Sequence, residues 1–157
     1  MTTVELRPLT PDDLPALRDV AVADAVPSEV MPPVEGPGDH WTPDRATAFT
    51  DWQHSRITDP ERRSYLVTAD GAPAGVVRLD DTGEGTAVAG YWIARSHRRK
   101  GVATQALALI LIEAKALGLT GVTAQTTLGN PGSRRVLEGN GAALTVDGDV
   151  VRATFAL

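Results

Sequence analysis

One passage limits the architecture more than any other. Residues 86–118 read TAVAGYWIARSHRRKGVATQALALILIEAKALG. The first part, 86–94, has strand character. A connection follows in which Arg95, Arg98, Arg99 and Lys100 are crowded into six positions. A single glycine, Gly101, then opens a run in which 106–112 has no polar side chain. Such a run predicts a helix over about 101–117, buried around much of its circumference and held firmly at its N-terminus by the core.

A helix start exposes unpaired backbone N–H groups and the positive end of the peptide dipoles. It is therefore a ready site for an anion. Gly101 has no Cβ, so a ligand can approach its backbone closely. Val102 and Ala103 keep the first turn compact, and Thr104 adds a hydroxyl. Arg98, Arg99 and Lys100 are expected to supply mobile charge above it. A phosphate or pyrophosphate is the natural guest, and an ordinary solvated basic face is the competing reading. Neither the nucleotide-binding Gly-x-x-x-x-Gly-Lys-Ser/Thr pattern nor the dinucleotide Gly-x-Gly-x-x-Gly pattern occurs.

The rest of the chain is acidic. A formal net charge of -5 argues against general nucleic-acid binding. The absence of cysteine removes disulfides, thiolate metal sites and a cysteine nucleophile, and no metal is expected. The N-terminal residues lack an apolar signal core, and the longest apolar run is too short to span a bilayer. The expectation is a soluble, cytoplasmic protein without a membrane partner.

The 157 residues are expected to form one domain, 1–157. Residues 3–9 read as a strand. Thr10-Pro11-Asp12-Asp13 starts a helix that runs to about Ala25. The proline- and glycine-rich stretch 26–41 predicts a long loop without regular structure. A second Thr-Pro-Asp start opens a helix over 42–57, with Ala46, Phe49 and Trp52/Gln53 at helical spacing. Strands follow at 63–70, 73–81 and 86–94, the first two joined by the hairpin signal Asp70-Gly71. After the 101–117 helix come a strand at 121–128, a short helix at 130–141 and a hairpin over 142–157. The order is β-α-α-β-β-β-α-β-α-β-β, a mixed α/β or α+β fold.

Arg98-Arg99-Lys100-Gly101-Val102-Ala103 fits Arg/Gln-x-x-Gly-x-Gly/Ala, placed after the GYWIA strand and at a helix start. With the downstream Asn130-Pro131-Gly132-Ser133, it resembles the GNAT N-acetyltransferase superfamily, and more closely its RimJ/RimL-like, ribosomal-protein-alanine acetyltransferase-type branch. The detailed likeness covers about residues 87–142. It implies a mixed sheet of about six to seven strands, splayed between the strands at 86–93 and 122–128 and flanked by about four helices. It implies acetyl-CoA as co-substrate. Backbone groups of Trp92, Ile93 and Ala94 would meet the pantetheine arm, and the N–H groups of Arg99 through Thr104 would cradle the pyrophosphate. Asn130 would contact the pantetheine or simply cap its helix, and Ser133 and Arg134 or Arg135 would lie beside the cofactor.

The implied activity is acetyl transfer from the thioester to a primary amine, either a protein N-terminus or a small molecule, by direct attack. The family's usual tyrosine proton donor is replaced by Leu137, and a glutamate common in a close branch is replaced by Val88. Candidate bases are Glu84, ranked first for its place just before the cofactor strand, then Asp80, Asp81, His40 and Glu35. A water chain is the other route for the proton. The 26–41 loop is expected to cover the acceptor, with Glu29, Glu35 and Asp39 attracting a cation. The missing catalytic groups leave a catalytically inactive acyl-CoA sensor as the alternative function. The sequence is compatible with a monomer or a homodimer.

Overall fold

A computed structural model describes residues 2–157. Seven strands form one sheet: β1 (Val4–Pro8), β2 (Arg62–Ala69), β3 (Ala72–Asp81), β4 (Thr86–Ile93), β5 (Gly121–Thr127), β6 (Ala143–Asp147) and β7 (Val150–Ala156). Their order is β1-β2-β3-β4-β5-β7-β6. All neighbours are antiparallel except β4 and β5. That parallel pair needs a crossover, and α4 (Val102–Ala116) supplies it.

The helices divide between the two faces. On one face α4 packs with Val102, Ala106, Leu107, Ile110 and Ala114 against Val77, Leu79, Ala87 and Val122 of the sheet. On the other, α1 (Leu14–Asp24) and α3 (Pro43–Ile57) bring Leu14, Leu17 and Phe49 against Leu66, Val76 and Trp92. Strand alternation makes this division possible, because Leu66 and Val67, or Val76 and Val77, point to opposite cores. The central strands are therefore apolar on both faces, as in β2, where Ser64–Val67 are all buried.

Local signals behave as their chemistry requires. At the Asp70-Gly71 turn both residues have positive φ, 50° and 83°, the conformation that a tight hairpin needs. The Thr10-Pro11 start begins as a single 3-10 turn over Pro11–Asp13 before α1 takes over. Asp13 accepts from the Thr10 N–H at 2.9 Å.

Two expectations are corrected. The 26–41 stretch contains a one-turn helix, α2 (Pro27–Val30), because Pro27 fits a helix start and the Glu29 carboxylate accepts from the Val26 N–H at 3.0 Å. With α5 (Pro131–Gly139) the described residues hold five α-helices, in keeping with the expected number of about four. Nor is α4 buried around most of its circumference. It buries one stripe and leaves Ile112 67% exposed. The stripe is enough, since Val102, Leu107 and Ile110 are almost fully buried and each contributes about 1.5–3 kcal/mol. The helix start is thus anchored from its first residue onward. No helix among the described residues is long and apolar enough to cross a membrane.

Candidate active site

The start of α4 has the geometry of an open cradle for an anion. Gly101 is its N-cap residue with φ +76°, and no side chain caps it. The first N–H to find a helical carbonyl is that of Gln105, bonded to Gly101 O at 3.0 Å. Helix geometry therefore leaves the N–H groups of Val102, Ala103 and Thr104 without a partner in the helix. Arg99, two residues earlier, also has positive φ, 61°. Two left-handed residues so close together curl the main chain around the helix start.

The charges above this cradle are less mobile than expected. Arg98 donates from Nε to Ile93 O at 2.9 Å and from Nη2 to Glu29 at 2.7 Å. Arg95 reaches the other oxygen of Glu29 at 3.2 Å. Burial works against ionising Glu29, but the Val26 N–H and Arg98 hold its carboxyl below the usual glutamate range. Glu29 is thus occupied, and the expectation that it attracts a cationic acceptor is corrected. Asp24 at the end of α1 fixes the preceding turn by accepting from Ser96 N at 2.9 Å. Arg99 and Lys100 are the exposed cations beside the cradle.

Beyond the anion site the sheet opens. Strands β4 and β5 pair at only three positions, Thr86↔Gly121, Ala87↔Val122 and Val88↔Thr123, although both continue past them. The edge of β4 from Ala89 to Ile93 therefore faces a cleft. The ladder fixes which backbone groups look into it. Thr82 N bonds Thr86 O, and Ala94 N bonds Ala74 O at 2.8 Å. By alternation the main-chain groups of Gly90, Trp92 and Ala94 turn toward β3, and those of Ala89, Tyr91 and Ile93 turn toward the cleft. Of the three backbone positions expected to meet the pantetheine, Ile93 faces the opening; Trp92 and Ala94 do not. Gly75 shows how closely β3 and β4 approach here, since a Cβ on it would stand 2.1 Å from Trp92 O.

Across the cleft, Asn130 caps α5 by accepting from Ser133 N at 3.1 Å. Its side-chain oxygen thus does what a cap does, which leaves its amide nitrogen for any ligand. Ser133 Oγ pairs with the Tyr91 hydroxyl at 3.0 Å. Burial raises the Tyr91 pKa above the usual tyrosine value, against the opposing pull of Ser133. Leu137 is buried in the α4-side core. Tyr91 is not among the candidates named from the sequence, where the tyrosine position is Leu137. Its place on β4, facing α5, was available from strand alternation.

A cavity of about 290 Å³ lies on the opposite face of β4, where Trp52, Gln53 and Arg56 of α3 meet Gly90–Trp92, and α2 closes one side. The 26–41 loop that carries α2 is well tied down. Asp39 accepts from Ser28 N at 2.9 Å and also bonds its hydroxyl. Trp41 Nε1 donates to Ala25 O at 2.9 Å, and buried Arg45 donates to His40 O at 2.7 Å. At the back of the cavity Arg56 and Arg78 share the carboxylate of Asp80.

This geometry corrects the choice of base. Glu84 is exposed in the turn before β4, and the strand from Thr86 to Trp92 alone spans roughly 20 Å at about 3.3 Å per residue. Asp80 is held by two arginines, and Asp81 by Arg63 at 2.8 Å. Glu35 and His40 are exposed on the loop, outside the cavity lining. No free carboxylate stands at the cavity wall among the described residues.

Comparison with known proteins agrees with this fold. No curated protein matches the chain in sequence. Among solved structures, a ribosomal-protein alpha-N-acetyltransferase, RimL, in complex with coenzyme A superposes with a TM-score of 0.76 at 18% identity, covering 99% of this chain and 94% of that one. RimJ of Mycobacterium smegmatis, in complex with a CoA disulfide, gives a TM-score of 0.76 at 23% identity, covering 98% and 81%. A dodecameric spermidine N-acetyltransferase from Vibrio cholerae gives 0.72 at 19%, covering 98% and 93%. The family model described as the acetyltransferase (GNAT) domain matches residues 3–143. The chain belongs to the GNAT acetyltransferase family and is an N-acetyltransferase.

Proposed function

We propose that the chain binds acetyl-CoA from the α4 side of the sheet and an amine from the α3 side, and that the two meet at Gly90–Trp92. One observation carries this reading: β4 loses its β5 neighbour beyond Val88, and the cavity on the other face ends on the same stretch. The N–H groups of Arg99 through Thr104 would hold the pyrophosphate, with Arg99 and Lys100 adding charge. The pantetheine would run along the open edge of β4 past Ile93, toward Asn130.

The amine nitrogen then attacks the thioester carbonyl carbon, and the C–S bond breaks. CoA leaves as thiolate and takes a proton, while the new amide sheds one. Tyr91 is the proposed donor to the thiolate. It is protonated at neutral pH, and the Ser133 hydroxyl orients it. With no free carboxylate at the wall, the amine's proton leaves through solvent. This suits an α-amine, whose pKa of about 7.7–8.0 leaves roughly a tenth neutral at pH 7.

The test combines calorimetric CoA titration with thiol release in the presence of primary amines. Micromolar CoA binding with turnover supports the reading. Binding without turnover across broad acceptors points to the sensor, and absence of CoA binding overturns both.

A further inference from the structure

The cavity beneath α3 is walled by polar groups that the protein leaves unsatisfied. Gln53 Oε1, Arg56 Nε and Trp92 Nε1 are buried and have no hydrogen-bond partner. Their residues are only 1%, 2% and 8% exposed, and all three line the cavity. Buried polar atoms are rarely left unpaired in native proteins, because each keeps the cost of losing water without compensation. Two of the three groups, the indole N–H and the guanidinium N–H, can only donate.

Charge adds a second, independent observation. Arg78 lies along the same wall, crossing Gly90 so closely that a Cβ there would meet its Nε, Cζ and Nη2 at 2.5–2.6 Å. The glycine is what gives the guanidinium its place. Arg56 and Arg78 have one carboxylate between them, Asp80. Glu29, the acid of the lining itself, is taken by Arg95 and Arg98. The wall therefore carries uncompensated positive charge and a surplus of donors. A polyamine, which adds only cations, is poorly matched to it.

We propose that the acceptor is a small molecule bearing a carboxylate near its amine, of the amino-acid type, with the carboxylate seated on the Arg56–Arg78–Trp92 side. This deepens the acetyltransferase reading and rests on it. Planar guanidinium groups match carboxylate geometry, and the cavity is at the small end of ligand pockets. The amine then lies on the remaining side, toward the β4 opening.

The experiment measures acetyl-CoA-dependent acetylation of free L-amino acids, the corresponding amino-acid amides and spermidine, by mass detection of product, with CoA affinity measured in parallel. The expected result is a kcat/KM at least about tenfold higher for an acid than for its own amide, with spermidine poorest. Arg78→Gln, checked for folding by its melting curve, is expected to shrink that acid-over-amide ratio toward one. Amides or spermidine serving as well as acids overturns the proposal. So does a folded Arg78→Gln protein with the full preference, or failure of every acid with CoA binding intact. Loss of CoA binding in the unaltered protein instead overturns acetyl transfer itself.

Discussion

Replacing Gly101 by alanine separates two reasons for a glycine at the anion cradle. Its φ is +76°, where an L-residue costs roughly 1–2 kcal/mol. The added Cβ would meet nothing closer than Gln105 Nε2 at 3.7 Å, so no steric clash adds to that cost. In a chain of this size about 1 kcal/mol moves the melting temperature by roughly 2–4 °C. Gly101→Ala should therefore melt about 2–8 °C lower. If the main chain relaxes to negative φ, the N–H groups that follow swing away from the phosphate. Losing one hydrogen bond to a charged group, about 1.5–3 kcal/mol, weakens CoA binding by about tenfold or more. Gly101→Asn should recover part of both losses, since asparagine tolerates the left-handed conformation. Differential scanning fluorimetry and calorimetric CoA titration report the two quantities. A Gly101→Ala protein with the parent melting temperature and CoA affinity would refute the conformational argument.

Three further outcomes follow from the same geometry. Gly75→Ala places a Cβ against the Trp92 carbonyl at 2.1 Å, a clash with backbone that no rotamer relieves; it should lower stability by several kcal/mol, or about 3 and more, in chemical denaturation. Tyr91→Phe should lower kcat about tenfold or more while leaving the KM for acetyl-CoA within about twofold, in steady-state thiol release. Asp13, held by Arg7 at 2.7 and 2.5 Å, has its pKa lowered to about 2. The stabilisation from that pair is complete above the ordinary carboxylate pKa and is lost as pH falls from about 4 toward 2. Solvent screening keeps that contribution small, and Asp13→Asn should flatten the acid limb of the stability curve.

The parts of the fold visible in the sequence are those set by local chemistry. Gly101 before an apolar run, Asp70-Gly71 between alternating segments and the two Thr-Pro-Asp starts each act within a few residues. The opening between β4 and β5 was implied only by family resemblance, because nothing in either strand's own residues says where pairing stops. The Glu29 contacts with Arg95 and Arg98 join residues 66 and 69 positions apart, beyond any local pattern. The cavity wall did leave a trace. Phe49, Gln53 and Arg56 fall on one buried helix face, so a polar pair interrupts an apolar stripe. Read as spacing alone, that stripe announced a core helix; its two polar members mark where the helix lines the cavity.

The shared carboxylate of Glu29 has a consequence for how the two substrates enter. It belongs to α2, which closes one side of the cavity proposed for the acceptor, and it restrains the arginines that precede the proposed phosphate cradle. The two entrances are thereby joined through one side chain. Whatever filling one entrance does to the affinity of the other, filling the second must do to the first by the same factor. Any such coupling would run through a residue that need touch neither reacting atom.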